Sequence, residues 1–188
     1  MLSENQYKLQ VPDEVHAAII YSIDGGIKGE DLITEKIDQN LVHKKLIENV
    51  IISHPVELDK EKKIYRTKIV FDLTHKFFFD HELSHLPGIL ILEAARQFGT
   101  AISHLFYNVP FESQFILHDL SSQFVAGADT DNDVFIDVMI TDAKIKNNKV
   151  RGLSGVGYVH QNGQVLGKIT SSWSIVPNKV VAHLTKFH

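Results

Sequence analysis

A long run of residues, 89–107, is apolar almost all round, and it constrains the fold more than any other part of the sequence. A run of this kind is typical of a helix buried in a core. Pro87 lies near its start, where the missing N–H of proline costs little. The few polar residues recur three or four positions apart, so they share one narrow stripe of the helix: Glu93, Arg96, Gln97, Thr100 and His104. The polar side chains on one stripe of a buried helix require polar groups opposite them.

The segments on either side of this helix have the pattern of strands. Before it, residues 46–52 are rich in β-branched side chains and residues 63–71 alternate between apolar and polar. The charged residues 57–63 between them predict a solvated turn. After the helix, four further strands are predicted near 114–124, 132–145, 149–160 and 164–176. Asn147-Asn148 and Asn162-Gly163 are tight-turn signals between them. The layout is α+β, with one antiparallel sheet wrapped around the helix.

Length and composition exclude several classes of protein. With 188 residues the chain is one domain with room for a small elaboration. It has no cysteine, which excludes disulfide scaffolds, Cys-ligated zinc and cysteine nucleophiles and fits a cytoplasmic location. The net charge of −4 gives no support for a nucleic-acid partner. No signal peptide is recognisable, and no stretch is predicted to span a membrane.

A metalloprotease motif is present in the literal sequence, since residues 81–85 read H-E-x-x-H. That chemistry requires both histidines on one face of a helix, where they bind zinc. Pro87 disfavours helical geometry at Leu86, so a helix carrying the pair would stop at its second ligand. The long helix is expected to begin after the motif. We therefore predict no metal.

The segment from Phe78 to Gln97 resembles the active-site segment of hotdog-fold beta-hydroxyacyl-ACP dehydratases. The similarity lies in a His after paired Phe (His81), a Pro-Gly turn at the helix start, and a Glu-Ala…Gln pattern within the helix. In that family the His and the acid form a catalytic pair. Here the His-to-Pro-Gly spacing is shorter, and Arg96 replaces an alanine.

The same segment is more similar to the A-factor biosynthesis hotdog family, the AfsA-like proteins. The stretch 78–97 carries this resemblance, and Leu41-Val42-His43-Lys44 resembles the V-H-K element at the head of that family's first strand. The resemblance implies a single hotdog domain over 41–188 after an N-terminal extension over 1–40. Family members usually carry two modules in one chain, so a chain with one module is expected to form a homodimer.

The resemblance also implies an activity. The family is associated with transferring a beta-ketoacyl group from a carrier to the hydroxyl of dihydroxyacetone phosphate, in the synthesis of gamma-butyrolactone signals. The family's Glu-x-x-Arg corresponds to Glu93 and Arg96, with His81 assisting as a third catalytic residue. The expected partners are acyl-ACP or acyl-CoA and an acyl carrier protein, and no cofactor is expected.

The chemistry of the two charged residues supports this direction independently. Glu93 and Arg96 lie one turn apart, and an acid on an apolar helix is costly to bury unpaired. Arg96 stabilises the ionised carboxylate, which suits a base that accepts a proton from a hydroxyl. The planar guanidinium also fits a phosphate. The alternative is a structural ion pair without catalysis; for His81 it is a histidine hydrogen-bonded into the strand–helix turn.

Four further residues are predicted to contact substrate: His85, Gly88, Gln97 and Thr100. The helix start at Gly88 offers backbone N–H groups to a thioester oxygen. Two other functions remain open from the sequence. One is an acyl-ACP dehydratase or thioesterase, and the other is a non-catalytic acyl-binding hotdog or partner subunit.

Overall fold

The structure, a computed structural model, describes residues 9–13, 35–81 and 83–178. Within these ranges it contains one long helix and six strands. They are α1 (Gly88–Tyr107), β1 (Val56–Asp59), β2 (Ile64–Lys68), β3 (Ser113–Phe124), β4 (Val134–Lys146), β5 (Lys149–Gln161) and β6 (Gln164–Pro177). Two short 3-10 helices, Gln39–Val42 and Ile47–Asn49, precede β1.

The strands form a single antiparallel sheet in the order β1-β2-β4-β5-β6-β3. Asn147-Asn148 joins β4 to β5, and Asn162-Gly163 joins β5 to β6; all four residues have positive φ. Two-residue turns of this left-handed kind match the twist of antiparallel strands. The four strands predicted after the helix are confirmed, with ends that differ by no more than two residues.

Helix α1 packs against one face of this sheet and forms the centre of the core. Leu90, Phe98 and Ile102 are fully buried. Gly99 lies so close to the ring of Trp173 on β6 that a Cβ there would stand 3.2 Å from the indole. The helix ends at a left-handed Asn108, whose N–H donates to the carbonyl of Ser103. The predicted buried helix, and with it the α+β class, is confirmed.

Two predictions about the chain before the helix are wrong. Residues 46–52 do not form a regular strand: Ile47–Asn49 is a 3-10 helix, and Ile52 pairs with Ile69 through an isolated bridge rather than a ladder. The reason is that the N–H of Ile51 donates to the side-chain oxygen of Gln97 on α1, and not to the backbone of a neighbouring strand. Residues 57–63 are not all turn, because β1 pairs with β2 at the edge of the sheet. Charged side chains are common on such edges.

The face of the sheet away from α1 holds a buried ion pair. Arg66 Nε and Nη2 each donate to a different carboxylate oxygen of Asp137 at 2.6 Å, and both side chains are almost completely buried. His160 Nε2 lies 3.2 Å from the same carboxylate. Burial alone would raise the pKa of Asp137, but the two hydrogen bonds and the charge of Arg66, with His160 nearby, lower it. Val11 packs on this face against Ile64 and Tyr158.

In the described part of the chain, no helix combines the length and the apolar character that crossing a lipid bilayer requires.

We predict that Asp137→Ala reduces the free energy of unfolding by about 3–5 kcal/mol, because it leaves a buried guanidinium without its carboxylate. Asp133→Ala is the control, since the Asp133 side chain is 51% exposed while it pairs with Lys68, and its loss should cost less than about 1 kcal/mol. Urea denaturation of both variants checks this. Equal losses would contradict it.

Candidate functional site

The polar stripe of α1 centres on Glu93, whose carboxylate receives four hydrogen-bond donors. Arg96 donates from Nε to Oε2 and from Nη2 to Oε1, both at 2.8 Å. Gln97 Nε2 donates to Oε1 at 2.9 Å. Lys44 Nζ lies 2.8 Å from Oε1 and comes from outside the helix. The carboxylate therefore joins two turns of α1 to the segment that precedes the sheet.

These partners determine the ionisation of Glu93. Burial by itself would raise the pKa of its carboxyl, since the side chain is only 22% exposed. The hydrogen bonds and charge of Arg96, together with Lys44 and Gln97, overcome this and lower the pKa to about 2. Glu93 is thus a carboxylate across the physiological pH range, and it is a weak proton acceptor.

Gln97 fixes the backbone beside this carboxylate. Its side chain is fully buried, its Oε1 accepts from the N–H of Ile51 at 3.1 Å, and its Nε2 donates to the carbonyl of Asn49 at 2.9 Å. The same Nε2 donates to Glu93. Gln97 therefore positions the loop after the 3-10 helix Ile47–Asn49 and the acid at once.

A groove of about 260 Å³ runs beside Glu93 between α1, β3 and β6. Its walls are mostly apolar, and its polar lining is confined to a few side chains, among them Glu93, Arg96 and Thr100. Thr100 donates its hydroxyl to the carbonyl of Arg96 at 3.0 Å. The apolar lining comes mainly from Ile89, Leu92, Ala95, Phe115, Leu117, Leu120 and Trp173. An apolar groove with a few convergent polar groups is typical of a ligand site.

The loop before α1 holds His81, His85 and the start of the helix. His81 is 68% exposed, and its Nδ1 lies 2.7 Å from its neighbour Asp80, with no contact to Glu93 among the described residues. His85 is exposed and bridges to Asp129. Gly88, at the helix start, is exposed as well.

Neither histidine of the H-E-x-x-H motif lies on a helix, and its Glu82 lies outside the described residues. In the described ranges, no group of three or more His, Asp or Glu side chains is arranged to hold a metal.

Three residues of this region were not among the predicted site residues: Lys44, His43 and His104. Lys44 contacts Glu93, and His43 Nε2 lies 3.0 Å from His104 Nε2. Two signals in the sequence pointed to them. His43 and Lys44 belong to the V-H-K element, and His104 continues the polar stripe of the helix.

We predict that the stability contributed by Glu93 depends on acidity. Since the pKa is lowered from 4.5 to about 2 in the folded protein, this stability is fully present above about pH 4.5 and is lost as the pH falls toward 2. Glu93→Gln should therefore lower the free energy of unfolding by roughly 2–3 kcal/mol at neutral pH and by less at pH 3. Urea unfolding across pH measures this. Glu61→Gln, in the exposed turn between β1 and β2, is the control, and a penalty that does not change with pH would contradict the prediction.

Solved structures with the same architecture support the fold. A conserved protein from Pseudomonas aeruginosa, PA5202, aligns with a TM-score of 0.52 at 14% identity, covering 74% of this chain and 100% of that chain. YhdA from Lactococcus lactis, described as a candidate thioesterase, gives 0.51 at 15% identity, with coverages of 71% and 98%. A hot-dog-like protein from Thermanaerovibrio acidaminovorans gives 0.50 at 10% identity, with coverages of 65% and 87%. At these identities the likeness shows the hotdog fold alone.

Comparison of the sequence with curated proteins finds no significant match. The family comparison is decisive, because the A-factor biosynthesis hotdog domain (AfsA) matches residues 28–177, which is most of the chain. This confirms the resemblance drawn from residues 41–44 and 78–97. The chain belongs to the A-factor biosynthesis hotdog family.

Proposed function

We propose that the protein is an acyltransferase that moves the acyl group of a beta-ketoacyl or fatty acyl thioester to the hydroxyl of a phosphorylated alcohol, as in gamma-butyrolactone signal synthesis. The observation that carries this proposal is the Lys44–Glu93–Arg96 cluster at the side of an apolar groove. The groove suits an acyl chain, and the cluster suits a charged acceptor.

The apolar walls support the acyl half of the proposal. Leu92, Leu117 and Trp173 line a groove of about 260 Å³, close to the lower end of the range for ligand sites. Residue Ile89 at the beginning of α1 also faces it. The N–H groups of Gly88 and Ile89 precede the first intrahelical bond, which runs from the N–H of Leu90 to the carbonyl of Pro87. They are suited to binding a polar group of the acyl donor at this end of the groove.

The charges of the cluster support the phosphorylated acceptor. Two cations, Lys44 and Arg96, face one carboxylate, so the cluster carries a net positive charge. Arg96 uses Nε and Nη2 on Glu93, and its side chain is 44% exposed, which leaves the other edge of the guanidinium open to an anion. Glu93, ionised and fully engaged, orients these two cations.

The remaining predicted site residues have lesser roles in this proposal. Gln97 positions Glu93, and Thr100 faces the groove. His81 assists from the loop before α1: Asp80 accepts from its Nδ1, which leaves Nε2 for a substrate or carrier. His85 contributes to the substrate surface on the same loop. In this proposal the acyl donor is carried on acyl carrier protein or coenzyme A, and the reaction is expected to take place in the cytoplasm.

The test is an ester-forming assay with a beta-ketoacyl thioester and dihydroxyacetone phosphate. Glu93→Ala and Arg96→Ala should each lower the rate by about 100-fold or more, since both disrupt the charged cluster. Arg96→Ala should lose the preference for dihydroxyacetone phosphate over unphosphorylated dihydroxyacetone. Glu61→Ala and Lys62→Ala, in the exposed turn between β1 and β2, are matched controls.

Three other outcomes would contradict the acyltransferase proposal. Hydrolysis of the thioester without an acceptor would indicate a thioesterase. Dehydration of a beta-hydroxyacyl thioester would indicate a dehydratase. Tight acyl binding without turnover would indicate a binding protein or a partner subunit.

We also propose that the protein is a homodimer paired along β3. This strand is the last in the sheet order, and among the described residues it pairs on one side only, with β6. Ile116, Leu117 and Leu120 on it are 45%, 54% and 42% exposed. An open edge of this length with exposed apolar side chains is a template for pairing with another strand. A second copy along β3 would also cover the groove that Leu117 and Leu120 line.

The dimer is tested by size-exclusion chromatography with light scattering. The wild-type protein should be a dimer at micromolar concentration, and Ile116→Lys should shift it toward monomer, because the charge would be buried on pairing. Ile145→Lys is the control, since Ile145 is 66% exposed at the far end of β4. A monomeric wild-type protein would contradict this part of the proposal.

A further inference from the structure

Two histidines beside the cluster form a chain of hydrogen bonds with a defined direction. His104 is buried on α1, and its Nδ1 lies 2.7 Å from the carbonyl oxygen of Val109. A carbonyl only accepts, so Nδ1 of His104 carries a hydrogen, and in the neutral ring Nε2 is then an acceptor. His43 Nε2, at 3.0 Å, donates to it. In the neutral ring of His43 the lone pair is therefore on Nδ1.

The surroundings hold both rings in this arrangement. Phe111 stacks on His104 with ring centres 4.8 Å apart, and Phe115 lies edge-on to both histidines at 5.3 and 5.4 Å. His43 itself has a left-handed backbone, with φ 55, at the end of the 3-10 helix Gln39–Val42. A non-glycine residue in this conformation is uncommon, and such conformations are found where surrounding contacts enforce them.

The pair is adjacent to both parts of the proposed site. Phe115 lines the acyl groove as well as contacting the two histidines. Lys44, the residue after His43, contacts Glu93. A second, open depression of about 540 Å³ is lined by His43 and Lys44, together with Asp38, Asn40, Leu41 and Phe111. A small acceptor in this depression would meet His43 on one side and the cationic cluster on the other.

The charges around His43 favour its neutral form. Burial above all, and the positive charge of Arg96, lower the pKa of His43. Lys44 adds a cation at the depression; the carboxylate of Asp38 lines the same depression, and that of Glu93 contacts Lys44. His43 is therefore a neutral imidazole near pH 7, the form that a base requires.

We propose that His43 is the general base of the acyl transfer, that His104 is the positioning residue that holds it in the reactive tautomer, and that the acceptor alcohol binds in the His43–Lys44 depression. This inference rests on the acyltransferase function proposed above. It supplies the proton acceptor that Glu93, engaged by four donors, is poorly suited to be.

The proposed step balances without a cofactor. His43 Nδ1 takes the hydroxyl proton of the acceptor alcohol, and the alcohol oxygen attacks the carbonyl carbon of the thioester. The new C–O bond forms, the C–S bond breaks, and the leaving thiolate takes the proton back from the imidazolium. The products are an ester and a free thiol, with His43 neutral again. His104 supports the intermediate state because its Nε2 accepts from His43 in both forms.

The experiment measures ester formation by wild type, His43→Ala, His104→Gln and the control His54→Gln, whose Nδ1 lies 3.0 Å from the neighbouring carbonyl of Pro55. His43→Ala should lose about 100-fold or more in kcat, and added imidazole should restore part of it, which a purely structural role would not allow. His104→Gln should keep its fold and retain measurable activity. Its kcat should fall by about tenfold while KM stays within threefold of wild type, because the tautomer of His43 is no longer held by an imidazole acceptor. His54→Gln should behave as wild type.

The experiment distinguishes a failure of the acyltransferase function from a failure of the role of His43. If wild type forms no ester, the acyltransferase function and the role of His43 both fall. If wild type forms ester and His43→Ala remains within threefold of it, only the role of His43 falls. If His43→Ala is inactive but unaffected by imidazole while its thermal unfolding matches wild type, the general-base assignment is wrong. A kcat within threefold of wild type in His104→Gln overturns the positioning role.

Discussion

The carboxylate of Glu93 is the interaction around which the rest of this site is organised. It is a charge on a helix that lies in a largely apolar core, and such a charge is tolerated only with compensating donors. Those donors come from the next turn of α1, through Arg96 and Gln97, and from Lys44 outside the helix. Satisfying one carboxylate thus fixes the loop that carries His43 and Lys44 and the wall of the acyl groove. Loss of that charge would release both the loop and the groove wall.

The parts of the fold that local patterns encode could be read from the sequence. The length and periodicity of residues 89–107 predicted α1, and paired Asn or Asn-Gly residues predicted both late hairpins, because turn geometry and helix periodicity depend on neighbouring residues only. The error at 46–52 has a tertiary cause. The backbone of Ile51 is paired by a side chain forty-six positions away, which no local pattern contains.

For the site, too, the sequence predicted only the contacts that local spacing determines. Glu93 and Arg96 are three residues apart on a helix, so their contact follows from spacing. The contacts of Lys44 with Glu93 and of His43 with His104 join segments far apart in sequence, and only the packing of the 3-10 helix Gln39–Val42 on α1 reveals them. The V-H-K element was visible as a resemblance, but its partners were not. The position of His81, exposed beside Asp80, was equally beyond reach, because the conformation of a loop is not set by its spacing from a helix.

Strand β3 has two roles whose combination has a thermodynamic consequence. Its residues Leu117 and Leu120 form a wall of the groove, while its outer edge is unpaired among the described residues. Whatever occupies the groove and whatever pairs with that edge therefore share one strand and part of one apolar surface. Their binding free energies are then linked, and linkage is reciprocal: a ligand that favours association binds more tightly to the associated form by the same factor. In a homodimer of this kind, the occupancy of the groove by acyl chains would rise with protein concentration, and the fraction of dimer would rise with the concentration of acyl ligand. The reaction rate per subunit would then depend on protein concentration.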